Sequence, residues 1–219
     1  LHPEASLMTA ARVKGLDFKE VLRLIISSAA RRYHLPLRPL RRVKGVAKEK
    51  RTRSTARQLG IQVGRLSCGP YNSITDVEGV RVGHYTWIDD EVPLPGMRQK
   101  TSVRTGVTAI VPPGNFFKNR LVAGGFVLNG VGEMAGLNQV REWGWLETPI
   151  LLTNSHSVGR VLSGVISYMS SKYPSIGVET DVVLPVVGET DDSYLNDVRV
   201  GTCSAQNAIT AIKAARGGP

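Results

Sequence analysis

Residues 149–173 read PILLTNSHSVGRVLSGVISYMSSKY, and the pattern changes character once along the way. Residues 149–153 are a short apolar run, the mark of a buried strand. From Ser157 onward, Val158, Val161, Leu162, Val165 and Ile166 recur at spacings of three and four. That period sets them on one face of a helix over residues 157–173. The polar link Thr153-Asn154-Ser155-His156-Ser157 joins the two, with Ser157 suited to cap the helix start. Residues 181–187 (DVVLPVV) then predict a further strand, which Pro185 confines to an edge or a bulge. Strand, helix and strand in succession place the chain in the α/β or α+β class.

The same alternation extends in both directions. Residues 77–85 (VEGVRVGHY) and 106–111 (GVTAIV) are β-branched runs bounded by turn residues and read as strands. Residues 121–128 form an apolar run softened by Gly124 and Gly125, and residues 132–143 predict a helix. A last helix over residues 204–216 buries Ala205, Ala208, Ile209 and Ile212 and stops at Gly217-Gly218. There is no internal repeat, and no apolar window is long enough to span a membrane as a helix.

Composition adds one asymmetry. The 219 residues carry a formal charge of +10, with 42% apolar and 21% charged residues, so wholesale disorder is excluded. Residues 1–60 hold 15 Lys plus Arg against four acids, a balance of +11, which leaves the remainder at −1. Residues 1–57 are therefore read as a basic N-terminal extension, and residues 58–219 as the body. Within the extension, residues 17–33 (DFKEVLRLIISSAARRY) predict one amphipathic helix with Asp17 at its start and Arg31 and Arg32 at its end. A solvated leader, a targeting leader, and an arm for nucleic acid or anionic lipid all fit such a segment. Cys68 and Cys203 are too few for a disulfide scaffold, and the four histidines are scattered, so no metal site is expected. The expected compartment is the cytoplasm.

Three motifs bear on chemistry. Gly130-Val-Gly132-Glu133-Met-Ala-Gly136 imitates a dinucleotide-binding turn, but Glu133 would set a carboxylate beside the pyrophosphate. Glu133 reads either as a dipole-compensating acid in a first helical turn or as a carboxylate at a cleft mouth, suited to a substrate ammonium. In Ser155-His156-Ser157 neighbouring side chains are poorly placed to activate one another, and Asn154 reads as a polar pocket wall. Gly188-Glu-Thr-Asp-Asp-Ser-Tyr-Leu-Asn196-Asp197 is an acidic turn without EF-hand spacing. Asn196, just after it, could offer its amide to an oxyanion. No nucleophile and base occur together.

Five ordered stretches carry a family resemblance: ITDVEGVRVGHYT, TGVTAIVPP, NGVGEMAGL, PILLTNSHSVG and PVVGETDDSYLNDV. Together they resemble the DmpA-like aminopeptidases, a group that includes the β-peptidyl aminopeptidases. The likeness runs from about residue 59 to residue 218. It implies a self-cleaving precursor whose α and β chains fold as a four-layer αββα sandwich, a topology shared with ornithine acetyltransferase. The nucleophile is then a serine or threonine freed at the start of the β chain, outside this sequence, which reads as the α chain.

Carried over by residue, the resemblance implies that Asn196 stabilises the oxyanion, Glu133 holds the substrate's free amine, and Asn154 lines the pocket. It implies no metal and no organic cofactor, a β-chain partner from the same precursor, and a homo-oligomer of αβ units. The expected function is a serine or threonine aminopeptidase or amidase that removes N-terminal residues from small amine-bearing peptides, amides or esters. An ornithine-type acetyltransferase is one alternative. A non-enzymatic binding protein working through its basic arm is the other.

Overall fold

The structure is a computed structural model that describes Gly15, the helix at 18–32, and residues 54, 56–61, 64–129 and 133–218. Two units divide the chain, Leu1–Leu66 and Ser67–Pro219. In the first, the amphipathic pattern forms helix α1 (Phe18–Arg32), with Glu20 in its first turn and Arg31 and Arg32 in its last. Leu24, Ile25 and Ile26 are exposed on it. The expected Asp17 cap and most of the basic run over residues 34–57 lie outside the described residues.

The second unit is a mixed α+β fold. In chain order it contains strands β1 (Arg81–Pro93), β2 (Lys100–Val111), β3 (Leu121–Val122) and β4 (Met134–Ala135). Helix α2 (Leu137–Trp143), strands β5 (Trp145–Leu146) and β6 (Ile150–Thr153), helix α3 (Val158–Lys172), strand β7 (Val186–Glu189) and helix α4 (Ala205–Lys213) follow. Five strands form one sheet in the order β1-β2-β6-β7-β4, and β3 and β5 form a small second one. Every pair is antiparallel except β6–β7, which is parallel because α3 carries the chain back over the sheet. Among the described residues no helix is long and apolar enough to cross a membrane.

Burial alternates along β2: Val103, Thr105, Val107, Ala109 and Val111 are buried, and the residues between them only partly so. The buried set meets α3 and α4 through Val158, Val161, Val165, Met169, Ala208, Ala211 and Ile212. Close approach here requires glycine. A Cβ at Gly164 would lie 2.4 Å from the Ala205 carbonyl oxygen, and one at Gly83 would lie 2.1 Å from that of Ala211. On the opposite sheet face, Val186 and Ile150 pack at one end with Leu137, Val140 and Leu146. Over β1, β2 and the end of β6 that face borders a groove of about 410 Å³ lined by His84, Thr86, Ile88, Arg104, Thr108 and Leu152.

Several elements differ from their sequence-based expectation. Strands β1 and β2 run well past 77–85 and 106–111 as a long hairpin, whose charged residues pair across it (Lys100 with Glu91, Arg104 with Asp90). The helix expected over 132–143 begins only at Leu137. Gly136 sits at its N-cap with φ 74°, and Met134–Ala135 are drawn into the sheet by pairing with Gly188 and Val187. The strand expected at 181–187 is Val186–Glu189, because Pro185 cannot donate to the ladder. Of residues 121–128 only Leu121–Val122 are strand, and Val122, Phe126 and Leu128 are exposed. The last helix is α4, capped by Ser204 in a reciprocal capping box with Asn207.

Candidate active site

The site grows from the end of β6. Thr153 anchors that end by donating its hydroxyl to the Gly106 carbonyl at 3.0 Å. Asn154 follows with extended backbone, and residues Ser155–Ser157 make one 3-10 turn into α3. The Asn154 side chain is 1% exposed, so its polar atoms must be satisfied within the protein. Its Nδ2 donates to Thr105 Oγ1 at 2.6 Å and to the Gly201 carbonyl at 2.9 Å. Its Oδ1 accepts from Ser157 Oγ at 2.7 Å. All three bonds hold the amide in one orientation, and leaving any of those buried groups unpaired would cost about 1–3 kcal/mol.

Ser157 is therefore not the helix cap expected of it. It stands at the N-cap position of α3 but makes no capping bond. Its hydroxyl is taken by Asn154, and its oxygen accepts the Cys203 N–H at 2.7 Å. Cys203 is fully buried here, and burial pushes its thiol up from the ordinary value despite the Thr153, Thr105 and Ser157 hydroxyls around it. His156 and Ser155 are exposed, and Ser155 donates to Glu189 Oε1 at 2.6 Å. No nucleophile is activated within Ser-His-Ser.

Asn196 arrives from the turn after β7 and is 4% exposed. Its Nδ2 donates to the Gly201 carbonyl at 2.9 Å and to Asp192 Oδ1 at 3.1 Å. Its Oδ1 accepts the Arg104 N–H at 3.2 Å. The two asparagines therefore meet on one backbone carbonyl. Asp192 is only half-buried, and it lines the open groove together with Arg104, Thr105 and Asn154. Asn196 itself borders a different cavity, of about 680 Å³, with Thr101, Ser102 and Asp197.

Glu133 is placed elsewhere along the same end of the sheet. It precedes β4, is exposed, and accepts the Glu189 N–H on its backbone carbonyl at 2.8 Å. It is not in a first helical turn, since α2 starts four residues later, so it cannot compensate a helix dipole there. Its side chain borders a separate pocket of about 270 Å³ walled by Met134, Leu162, Ile166, Leu184 and Pro185. Gly130 to Gly132 of the nucleotide-like motif lie outside the described residues. Among the described residues no three His, Cys, Asp or Glu side chains gather as a metal site would need.

Thr105 and Gly201 escape a reading of the sequence. Thr105 occupies a buried position in an alternating strand, where a hydroxyl looks like any other strand residue. Gly201 contributes through its carbonyl, which every residue type possesses.

The family model for Peptidase family S58 matches residues 72–219. The beta-peptidyl aminopeptidase BapA of Sphingosinicella microcystinivorans is 38% identical over 165 residues, covering 75% of this chain and 40% of the relative. A Burkholderia sp. beta-aminopeptidase structure superposes with TM-score 0.65 at 40% identity, over 75% of this chain and 44% of that one. The l-aminopeptidase d-Ala-esterase/amidase of Ochrobactrum anthropi, a prototype serine aminopeptidase with a variant Ntn hydrolase fold, gives TM-score 0.64 at 35% identity. That match covers 75% of this chain and 45% of the relative. The chain spans less than half the length of each relative.

Proposed function

Since the chain belongs to peptidase family S58, we propose that it is the α part of a self-cleaving aminopeptidase whose serine or threonine nucleophile begins a β chain outside this sequence. The observation that carries the reading is the pairing of Asn154 and Asn196 on the Gly201 carbonyl beside an open sheet face. Both N–H groups of the Asn196 amide have acceptors here, Gly201 and Asp192, so an oxyanion would take the place of the half-buried Asp192 carboxylate. The uncovered face over β1 and β2 suits a second sheet, as the αββα sandwich requires. Residues 1–57 are a basic extension outside the enzyme body at 58–219.

In this mechanism the freed hydroxyl attacks the substrate carbonyl, and the α-amine of the β chain takes its proton. The carbonyl oxygen becomes an oxyanion and displaces the Asp192 carboxylate from the Asn196 amide. The C–N bond then breaks, the leaving amine takes the proton, and water hydrolyses the acyl-enzyme ester. Glu133 holds the substrate's terminal ammonium, which limits attack to the first peptide, amide or ester bond. Asn154 keeps the groove wall and the Gly201 carbonyl in register. Two or more αβ units assemble into the working oligomer.

Intact-mass measurement on the whole gene product tests the reading. Two chains are expected, the second starting with Ser or Thr, and a single uncut chain would overturn self-cleavage. Turnover of an aminoacyl p-nitroanilide, with N-acetylornithine left unreacted, separates hydrolysis from acetyl transfer.

A further inference from the structure

We propose that Asp197, the residue after Asn196, is a positioning residue that fixes the Asn196 amide through the hairpin strand β2. The inference rests on the oxyanion role of Asn196 proposed above. Asp197 ties together three things that the Asn196 geometry depends on: the turn, the strand and Gly201.

Its side chain is 12% exposed and receives four hydrogen bonds. Thr101 Oγ1 donates to Oδ2 at 2.8 Å, and Arg199 Nη2 donates to the same oxygen at 2.5 Å. Arg199 Nε and the Arg199 backbone N–H donate to Oδ1 at 2.9 and 3.1 Å. Thr101 belongs to the part of β2 beyond its pairing with β6, where that strand edge is open to another segment. The turn fills it: the Asp197 N–H donates to the Ser102 carbonyl at 3.1 Å, and the Arg104 N–H donates to Asn196 Oδ1 at 3.2 Å. Asp197 also acts in the other direction along the chain. Its carbonyl accepts the Gly201 N–H at 2.7 Å, which sets the residue whose own carbonyl receives both asparagine amides.

The arrangement has a direction. Arg199 is largely exposed, whereas Thr101 sits on a paired strand. The carboxylate therefore transfers the rigidity of the hairpin to the turn, and the turn carries Asn196. Without it, Asn196 keeps its own bonds, but the segment bearing them loses its side-chain tether. A misplacement of about 1 Å near reacting atoms costs about a hundredfold in rate.

The test uses the full processed enzyme with Asp197→Ala, Asp197→Asn and Thr101→Val, each alone and in an Asn196→Ala background. Asp197→Ala is expected to lower kcat by about ten- to a hundredfold with KM little changed. Asp197→Asn should recover part of that loss, because an amide oxygen still accepts from Thr101. In the Asn196→Ala background the Asp197→Ala change should cost almost nothing more, as residues acting through one another are not additive. An unchanged kcat, or the same fold loss in both backgrounds, overturns the proposal. If Asp197→Ala does not fold, Thr101→Val must show the kcat loss and the non-additivity, and its failure to do so overturns the proposal equally. Wild-type turnover in Asn196→Ala alone instead rejects the oxyanion reading, and this inference falls with it.

Discussion

Asn154 and Asn196 donate their side-chain amides to the same acceptor, the carbonyl oxygen of Gly201, each at 2.9 Å. One residue follows β6 and the other follows β7, the parallel pair within the sheet. The shared carbonyl locks the two loops at that end into one unit. A disturbance at Gly201 is thereby felt at both asparagines.

Gly201→Ala tests that unit without replacing either asparagine. A Cβ there would lie 2.0 Å from Asn196 Oδ1, so the asparagine side chain must move. Turnover should fall as it does for Asn196→Ala, by about 10²–10³. Steady-state kinetics with an aminoacyl p-nitroanilide measures both variants. A near-normal kcat in either would take Asn196 out of the reaction.

Glu133 borders its own pocket, apart from the groove that Asn154 lines, so its contribution should be separable. Glu133→Ala is expected to raise KM for free-amine substrates while self-cleavage of the precursor proceeds at its usual rate. The two readouts are substrate kinetics and the time course of precursor loss on a gel. Equal losses in both would contradict a role in holding the substrate amine.

Packing between α3 and α4 depends on Gly164. A Cβ there meets the Ala205 carbonyl oxygen at 2.4 Å and the Ala208 Cβ at 2.9 Å. Gly164→Ala should cost about 1–3 kcal/mol of stability, since overpacked contacts must open. Gly159, in the first turn of the same helix, would carry a Cβ with nothing within 4 Å of it, so Gly159→Ala should be neutral or slightly stabilising. Denaturant unfolding of the two variants side by side distinguishes packing from helix propensity.

Acid should release the Asp197 tether late. The Arg199 side chain, chiefly, holds this carboxyl below its ordinary 3.8; burial opposes it, and Thr101 and the Arg199 N–H reinforce it. A carboxyl depressed in the folded state contributes stability that is complete above its unfolded value and is lost as pH falls through the folded one. The stability gap between wild type and Asp197→Asn should accordingly be constant above about pH 5 and shrink only in stronger acid. A carboxyl-carbon NMR titration in which Asp197 titrates with the exposed acids would refute this.

How much of this is legible in the sequence depends on which force shapes each element. Strand β6 follows from its short apolar run and helix α3 from its apolar period. The outer half of the β1–β2 hairpin does not, since Asp90, Glu91, Lys100 and Arg104 look like a charged loop until they pair across it. Strand β4 has no pattern of its own, and pairing with β7 makes it a strand. Asn154 and Asn196 occupy a helix entry and a turn, places where asparagine is common for structural reasons alone, so the family resemblance, and not their position, singles them out. Their meeting point is a backbone atom, which leaves no mark in the residue alphabet. Ser157 departs from its expected role for a related reason: the N-cap position invites its oxygen to accept a helix N–H, and the Cys203 N–H takes that place.

The pairings in the sheet also differ in how far along the chain they reach. The β1–β2 hairpin joins residues close in sequence, and its closure across residues 94–99 costs little chain entropy. The β6–β7 pair is closed across α3, and β4 pairs with β7 far along the chain. Contacts between distant residues form slowly, because the loop must close before any bond rewards it. Glu133 adjoins the β4–β7 pairing and Asn154 the end of β6, whereas Asn196 lies in the turn after β7. The amide pair therefore exists only where these long-range closures are made, whereas the hairpin needs none of them.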